Sequence, residues 1–252
     1  MPEISKLAIV EPSAQLADDV RVGPFCYIGP NVRIESGCVI DNNVTITGRT
    51  TLGERNRVFP MAVLGTSEDG SAETGELLIG EANVIREHVT IYAGKTQPTR
   101  IGTDNLVMIA CQIGASAQVG NHGIFVNSTQ IGPDAIIEDY VRTSAFIVIE
   151  PGVTVGAYTF TLGYAEIDRD APPFAMVQGS PFRVRGVNSE NLKRCGFGQD
   201  DIRLLKSAFR ELFDGADTID GVVLEKLLSD SNPHLLRLGQ FVRTSQTRSQ
   251  GT

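Results

Sequence analysis

The stretch Val22-Gly23-Pro24-Phe25-Cys26-Tyr27-Ile28-Gly29-Pro30-Asn31-Val32-Arg33-Ile34-Glu35-Ser36-Gly37-Cys38-Val39-Ile40 places Val22, Ile28, Ile34 and Ile40 six residues apart. Stepping outward in sixes gives Ile4, Val10 and Leu16 on one side, and Ile46, Leu52, Val58 and Leu64 on the other. Eleven successive positions hold only Ile, Leu or Val. A fixed period of this kind marks a repeat architecture. The register slips and resumes at Ile79, Ile85 and Ile91, then again from Ile101 through Val107, Ile113, Val119, Phe125, Ile131 and Ile137. Thr143 is a weak member, Ile149 and Val155 are good ones, and the pattern fades near Thr161. The slips near 66–78 and 93–100 are rich in Gly, Ser, Thr, Glu and Pro and read as loops thrown outward.

Six residues turn a helix by about 600°, so a six-residue period would spiral around it rather than mark one face. Six is a multiple of the strand period of two, which keeps one side chain per repeat pointing inward. Three short strands close a triangular coil, and coils stack as parallel sheets. The predicted architecture is mainly β: about eight coils, a prism on the order of 40 Å tall. The slot two before each aliphatic is small, and Cys26, Cys38 and Cys111 fall in it, so these thiols read as buried packing.

Composition excludes other classes. With 22 Lys+Arg against 30 Asp+Glu, the net charge of −8 gives no basic surface for nonspecific nucleic-acid binding. No apolar run reaches the roughly 18–20 residues of a membrane span. The start, Met1-Pro2-Glu3-Ile4-Ser5-Lys6, lacks a secretory pattern. The four Cys form no CxxC pair, so neither a metal site nor a disulfide framework is expected, and a cytoplasmic location is.

After Gly179-Ser180-Pro181 the period changes. Ile202, Leu205, Phe209, Leu212 and Phe213 share a helical face within 200–213, as do Ile219, Val222, Val223, Leu227 and Leu228 within 218–229. Asn232-Pro233 reads as a cap and first turn of a last helix through Phe241, with 244–252 a frayed polar tail. The expected division is a repeat column over 1–187 and a small α-helical domain over 188–252. That domain carries nine acidic and nine basic residues, so the acidic excess lies in the column. Its apolar faces must pack on the column's flank or on a neighbouring subunit.

The hexads resemble the left-handed parallel β-helix of the hexapeptide-repeat acyltransferases. Several segments are similar to the acyl-carrier-protein–UDP-N-acetylglucosamine O-acyltransferases of lipid A synthesis. They are Val22-Gly23-Pro24-Phe25-Cys26, Ile85-Arg86-Glu87-His88-Val89-Thr90-Ile91, Asp104-Asn105-Leu106-Val107-Met108-Ile109 and Ala171-Pro172-Pro173 with Val177-Gln178-Gly179. The most specific is Gly186-Val187-Asn188-Ser189-Glu190-Asn191-Leu192-Lys193-Arg194-Cys195-Gly196-Phe197, which is irregular and owes nothing to the repeat. The resemblance implies an acyl carrier protein and a UDP-sugar as partners, a homotrimer, and no cofactor. It implies that Asn188, Glu190 and Arg194 contact the UDP, that the Asp69 loop is the substrate-contacting loop without its Lys, and that Gly163 lies where acyl length is set.

Acyl transfer from a thioester to a hydroxyl needs a base and an oxyanion donor. In the family a His supplies the base and the following Asp orients it. Ungapped matching puts Ala115 at the base position and Ser116 at its neighbour. Gln112, Tyr92 and Pro181 stand at other family His positions. His122, Tyr92 and Asp69 are the candidate substitutes, His122 first; His88 also sits at a turn, and His234 reads as surface. Three functions follow: an O-acyltransferase with a displaced base, an N-acyltransferase acting on a sugar amine, which needs a weaker base, or a catalytically silent UDP-sugar or carrier-protein binder.

Overall fold

The computed structural model describes residues 1–71, 75–213 and 221–249. Strands of two to five residues form three sheets of eleven, nine and eight strands. All neighbours are parallel except the last pair of the first sheet, Ala175–Gln178 with Arg183–Val187. Consecutive strands fall on consecutive sheets, so the chain winds around a three-sided column. The pairing register joins ladder residues of successive coils, as in Ile4 with Val22, Ile28 with Ile46 and Ile113 with Ile131. Eight coils close with three strands, and partial turns continue above them through Glu166–Ile167 and Ala175–Gln178. The repeat therefore outlasts the point near Thr161 where the hexads fade. Its upper rungs use Thr161 and Ile167, which keep the sixfold spacing, and Val177, which breaks it.

The interior is the aliphatic ladder; Ile34, Ile85, Ile113 and Ile137 are all buried. Thr143 enters it because its Oγ1 is satisfied, accepting from Val126 N at 2.9 Å and sharing a bond with Thr129 Oγ1 at 2.8 Å. Most corners turn on the residue three past a ladder position, in the left-handed backbone region. Non-Gly residues such as Phe25, Asn43, Arg55, His88, Asp104, His122 and Tyr140 occupy it. That region costs an L-residue roughly 1–2 kcal/mol. Each of these N–H groups gains a partner one coil below: Asn43 to Pro24 O, Asp104 to Glu81 O, His122 to Thr103 O and Tyr140 to Asn121 O.

A ladder of buried amides runs along one corner. Asn83 Nδ2 donates to Asn56 Oδ1 at 3.0 Å and to Gly102 O at 2.9 Å, while Asn83 Oδ1 accepts from Asn105 N at 2.9 Å and Asn105 Nδ2 at 3.0 Å. Asn83→Ala removes the partners of the buried Asn105 N–H and of Gly102 O, while Asn56 Oδ1 keeps the residue 83 N–H. Each such group costs about 1–3 kcal/mol, so the expected loss is about 3 kcal/mol in urea unfolding. A loss under about 0.5 kcal/mol would mean that water replaces the amide freely.

Four helices follow: α1 (Ser189–Arg194), α2 (Gln199–Phe213), α3 (Gly221–Leu228) and α4 (Pro233–Ser249). Ile202, Leu205, Phe209 and Leu212 are buried on one face of α2. In α3, Leu224 and Leu227 are buried, but Val222 faces outward instead of joining the apolar face; Ile219 lies outside the described residues. Asn232 caps α4, its Oδ1 accepting from His234 N at 2.9 Å. The last helix does not end near Phe241. It continues to Ser249 along the column, where Arg237 pairs with Glu138 at 2.9 Å and Arg248 Nη1 donates to Thr154 Oγ1 at 2.6 Å. The segment expected to fray is thus helical to Ser249 and held to the column through Arg248. The helices cover the column's flank, and among the described residues no helix is long and apolar enough to cross a membrane.

Candidate functional site

The column has three edges, and the candidate residues divide among them. The edge between the second and third sheets carries both long loops, which leave after Val63–Thr66 and after Thr90–Tyr92, and it also carries the turn with Ala115 and Ser116. On this loop edge Lys95 Nζ lies 2.7 Å from Asp69 Oδ2 and 2.8 Å from Ser71 Oγ. The cation absent from the first loop is thus supplied by the second, a contact between residues 26 apart that sequence order conceals. The Lys95 ammonium and the Ser71 donors hold the Asp69 carboxyl well below the usual carboxylate range. Asp69 is therefore a weak proton acceptor. Tyr92 stands at the mouth of the second loop, and Gln112 faces outward one rung on, above Thr90.

Ala115 is half-buried and outside the aliphatic interior. Ser116 is 5% exposed, and the second loop is stitched over it. Its N–H donates to Thr99 Oγ1 at 2.8 Å, its Oγ donates to Gln97 O at 3.2 Å, and its carbonyl accepts from Gln97 Nε2 at 3.3 Å. Gly94 makes this closure possible, since a Cβ there would lie 2.0 Å from Gln97 O and 2.7 Å from Ser116 Oγ.

His122 is not on this edge. One strand, Gln118–Val119, carries the chain from the Ala115 turn to the edge between the third and first sheets. There residues at 18-residue spacing stack vertically. Asp104 Oδ2 lies 2.9 Å from His122 Nδ1, His122 stacks on Tyr140 at 4.6 Å, Tyr140 on Tyr158 at 4.8 Å, and Tyr158 on Phe174 at 5.8 Å. Phe197 and His234 close the top; the His234 ring packs 4.5 Å from Phe197, so this residue is not the free surface group expected. The same aromatic edge holds α1. Asn191 Nδ2 donates to Tyr140 O at 3.2 Å and Asn188 Nδ2 to Tyr158 O at 2.8 Å. Asn188 also caps α1, its Oδ1 accepting from Asn191 N. Glu190 pairs with Lys193 at 3.0 Å rather than with Arg194, and Arg194 is exposed with no ion pair to any described residue.

Gly163 and His88 lie on the third edge, between the first and second sheets. Phe25, Met61, Ile109, Phe146 and Tyr164 are all exposed along it. Cys38 and Cys111 are buried, and burial pushes both thiols up to about 11, which removes them as nucleophiles at neutral pH. Lys95 and Asp104 are not among the site candidates that the sequence offers. The second had a signal, since 104, 122, 140 and 158 are spaced by one coil.

Residues 13–48 match the bacterial transferase hexapeptide family (six repeats), and residues 170–251 match UDP-N-acetylglucosamine O-acyltransferase, domain 2. The chain is a hexapeptide-repeat transferase in fold, a left-handed parallel β-helix with a helical cap. An acyl-[acyl-carrier-protein]–UDP-N-acetylglucosamine O-acyltransferase from Saccharophagus degradans is 38% identical over 89% of this chain and 90% of its own. One from Stutzerimonas stutzeri is 35% identical over 100% and 99%. The solved structure of LpxA from Acinetobacter baumannii superposes with a TM-score of 0.90 at 30% identity, over 96% of this chain and 97% of that one. The chain belongs to the acyl-[acyl-carrier-protein]–UDP-N-acetylglucosamine O-acyltransferase family.

Proposed function

We propose that this protein moves a hydroxyacyl or acyl chain from acyl carrier protein to a UDP-amino sugar such as UDP-N-acetylglucosamine, acting in the cytoplasm as a homotrimer with altered catalysis. The observation that carries this reading is near full-length similarity to transferases so named, including the irregular entry into α1 around Asn188, Glu190 and Arg194. The guanidinium of Arg194, which has no ion pair among the described residues, suits a diphosphate, and the second oxygen of Glu190 can accept from ribose or uracil beside its pair with Lys193. Asn188 serves the cradle by fixing α1 to the column through Tyr158 O. The exposed apolar edge with Phe25, Met61, Phe146 and Tyr164 suits contact between copies of the chain around a three-fold axis. Gly163 lies on that edge, and the missing side chain leaves room for a longer acyl chain there; an added Cβ would come to a tight 3.2 Å from Ser144 Oγ. We place the division between column and helical domain at 187/188, where the last strand gives way to α1.

Stoichiometric protein incubated with UDP-N-acetylglucosamine and hydroxyacyl carrier protein is expected to give acylated sugar nucleotide by mass spectrometry. No product alongside calorimetric UDP-N-acetylglucosamine binding would establish the silent binder instead. Product formed only from a UDP-sugar bearing a free amine would establish the N-acyltransferase. Arg194→Ala is expected to weaken UDP binding about tenfold or more, the loss of one charge-assisted contact. Unchanged affinity would remove Arg194 from the cradle.

A further inference from the structure

The base position on the loop edge holds a methyl group, yet a carboxylate–imidazole pair stands on the aromatic edge. Its two members come from successive coils, Asp104 below and His122 above, with Asp104 Oδ2 2.9 Å from His122 Nδ1. A carboxylate only accepts, so Nδ1 carries a proton, and in the neutral ring Nε2 then holds the lone pair. The ring is fixed by a second contact, the stack on Tyr140 at 4.6 Å and 22°. Part of the imidazole surface is open, with 41% side-chain exposure. Two neighbouring carboxylates are engaged elsewhere: Asp139 Oδ1 accepts from Asn121 N at 2.7 Å and Asn121 Nδ2 at 3.0 Å, and Glu138 pairs with Arg237.

The pair also shares its edge with the nucleotide candidates. Tyr140, against which His122 stacks, is the residue whose carbonyl anchors α1 through Asn191. The helix bearing Glu190 and Arg194 therefore begins about one to two coils above the imidazole, on the order of 5–10 Å at strand spacing. In a nucleotide-sugar, a ribose and two phosphates separate base from sugar. A uridine held at α1 can thus deliver its sugar to the level of His122.

We propose that Asp104 and His122 form the substitute base of this protein, His122 taking the proton of the acceptor hydroxyl and Asp104 positioning the ring. This rests on the acyl-transfer reading above. As the sugar oxygen forms its bond to the thioester carbonyl carbon, Nε2 receives the hydroxyl proton. As the carbon–sulfur bond breaks, Nε2 returns that proton to the carrier's thiolate, so ester and thiol are the products and the imidazole is restored. The carboxylate holds the tautomer and balances the transient imidazolium, the division of labour found in His–Asp pairs generally.

The test compares wild type with His122→Gln, Asp104→Asn and Asp104→Glu in single-turnover acylation, with UDP-N-acetylglucosamine affinity measured by calorimetry. His122→Gln is expected to lower the rate about 10²–10⁴-fold with UDP affinity unchanged. Asp104→Asn is expected to lower it at least tenfold with folded yield and UDP affinity unchanged, and Asp104→Glu to recover part of the loss. A structural role for the pair would lower folded yield and UDP affinity together. Turnover by wild type with an unchanged His122→Gln rate overturns the pair while acyl transfer stands. No turnover by wild type at any pH overturns both.

Discussion

Ile113→Asp is expected to abolish the folded column. Ile113 is fully buried, and its neighbours on the same ladder, Ile91 below and Ile131 above, are buried too. The substitution forfeits roughly 1.5–3 kcal/mol of apolar burial. It also sets a carboxyl among aliphatic rungs with nothing to accept from or donate to, at several further kcal/mol. The sum is comparable to the whole stability of an ordinary domain. Stacked coils spread the damage, because each rung is walled by the coils on either side. Circular dichroism should show the β signal lost or the protein insoluble, while Ile113→Val costs only about 1 kcal/mol. A soluble, cooperatively unfolding Ile113→Asp protein would mean that this side chain does not point inward.

Placing a His–Asp pair at 115 and 116, where the family resemblance puts the base, is expected to fail. Ala115→His alone is tolerable, since Ala115 is half-buried at the surface of the turn. Ser116→Asp is not. Ser116 Oγ reaches Gln97 O at 3.2 Å inside a closed loop, so a carboxylate there would face a carbonyl oxygen with no compensating donor. An uncompensated buried charge costs about 3–5 kcal/mol. The double variant should therefore unfold at lower denaturant and gain no acylation. A gain in turnover without loss of stability would mean that the second loop opens readily. It would also move the chemistry back to the loop edge and away from Asp104 and His122.

The column was legible because its signal is periodic and every rung repeats the same demand. Ile34 and Ile113 must be apolar whatever the neighbouring turns do. Thr143 and Thr161 blurred the pattern, since a Thr looks polar in sequence; the bond of Thr143 Oγ1 to a neighbouring turn is visible only in three dimensions, and Thr161 Oγ1 is buried with no hydrogen-bond partner among the described residues. The loops were legible as interruptions, but not the contact that ties Lys95 to Asp69. That pairing depends on how far each loop folds back, which composition does not encode. His122 was identified as a turn residue, but its edge was not. The sixfold ladder says that a side chain is at a corner, while only the 18-residue sum, corrected for two loops, says which corner. Asp104 escaped notice for the same reason: it lies 18 residues before its partner and next to it in space. In the cap, Val222 was assigned to the apolar face from spacing alone, and the short α3 turns it outward.

The vertical stacking of Asp104, His122, Tyr140 and Tyr158 dictates which lengths of chain this molecule can gain or lose. Excising eighteen residues from the regular part shortens the tower by one storey and leaves each surviving corner above its former neighbour. Excising six keeps every inward aliphatic inward, yet it rotates all that follows by a third of a turn. Such a trimmed chain would still wind and still be hydrophobic within, but α1 would descend on the wrong side and the nucleotide seat would part from the imidazole beneath it. Viable relatives should accordingly differ in height by whole storeys and carry their odd-sized insertions in the two outward loops.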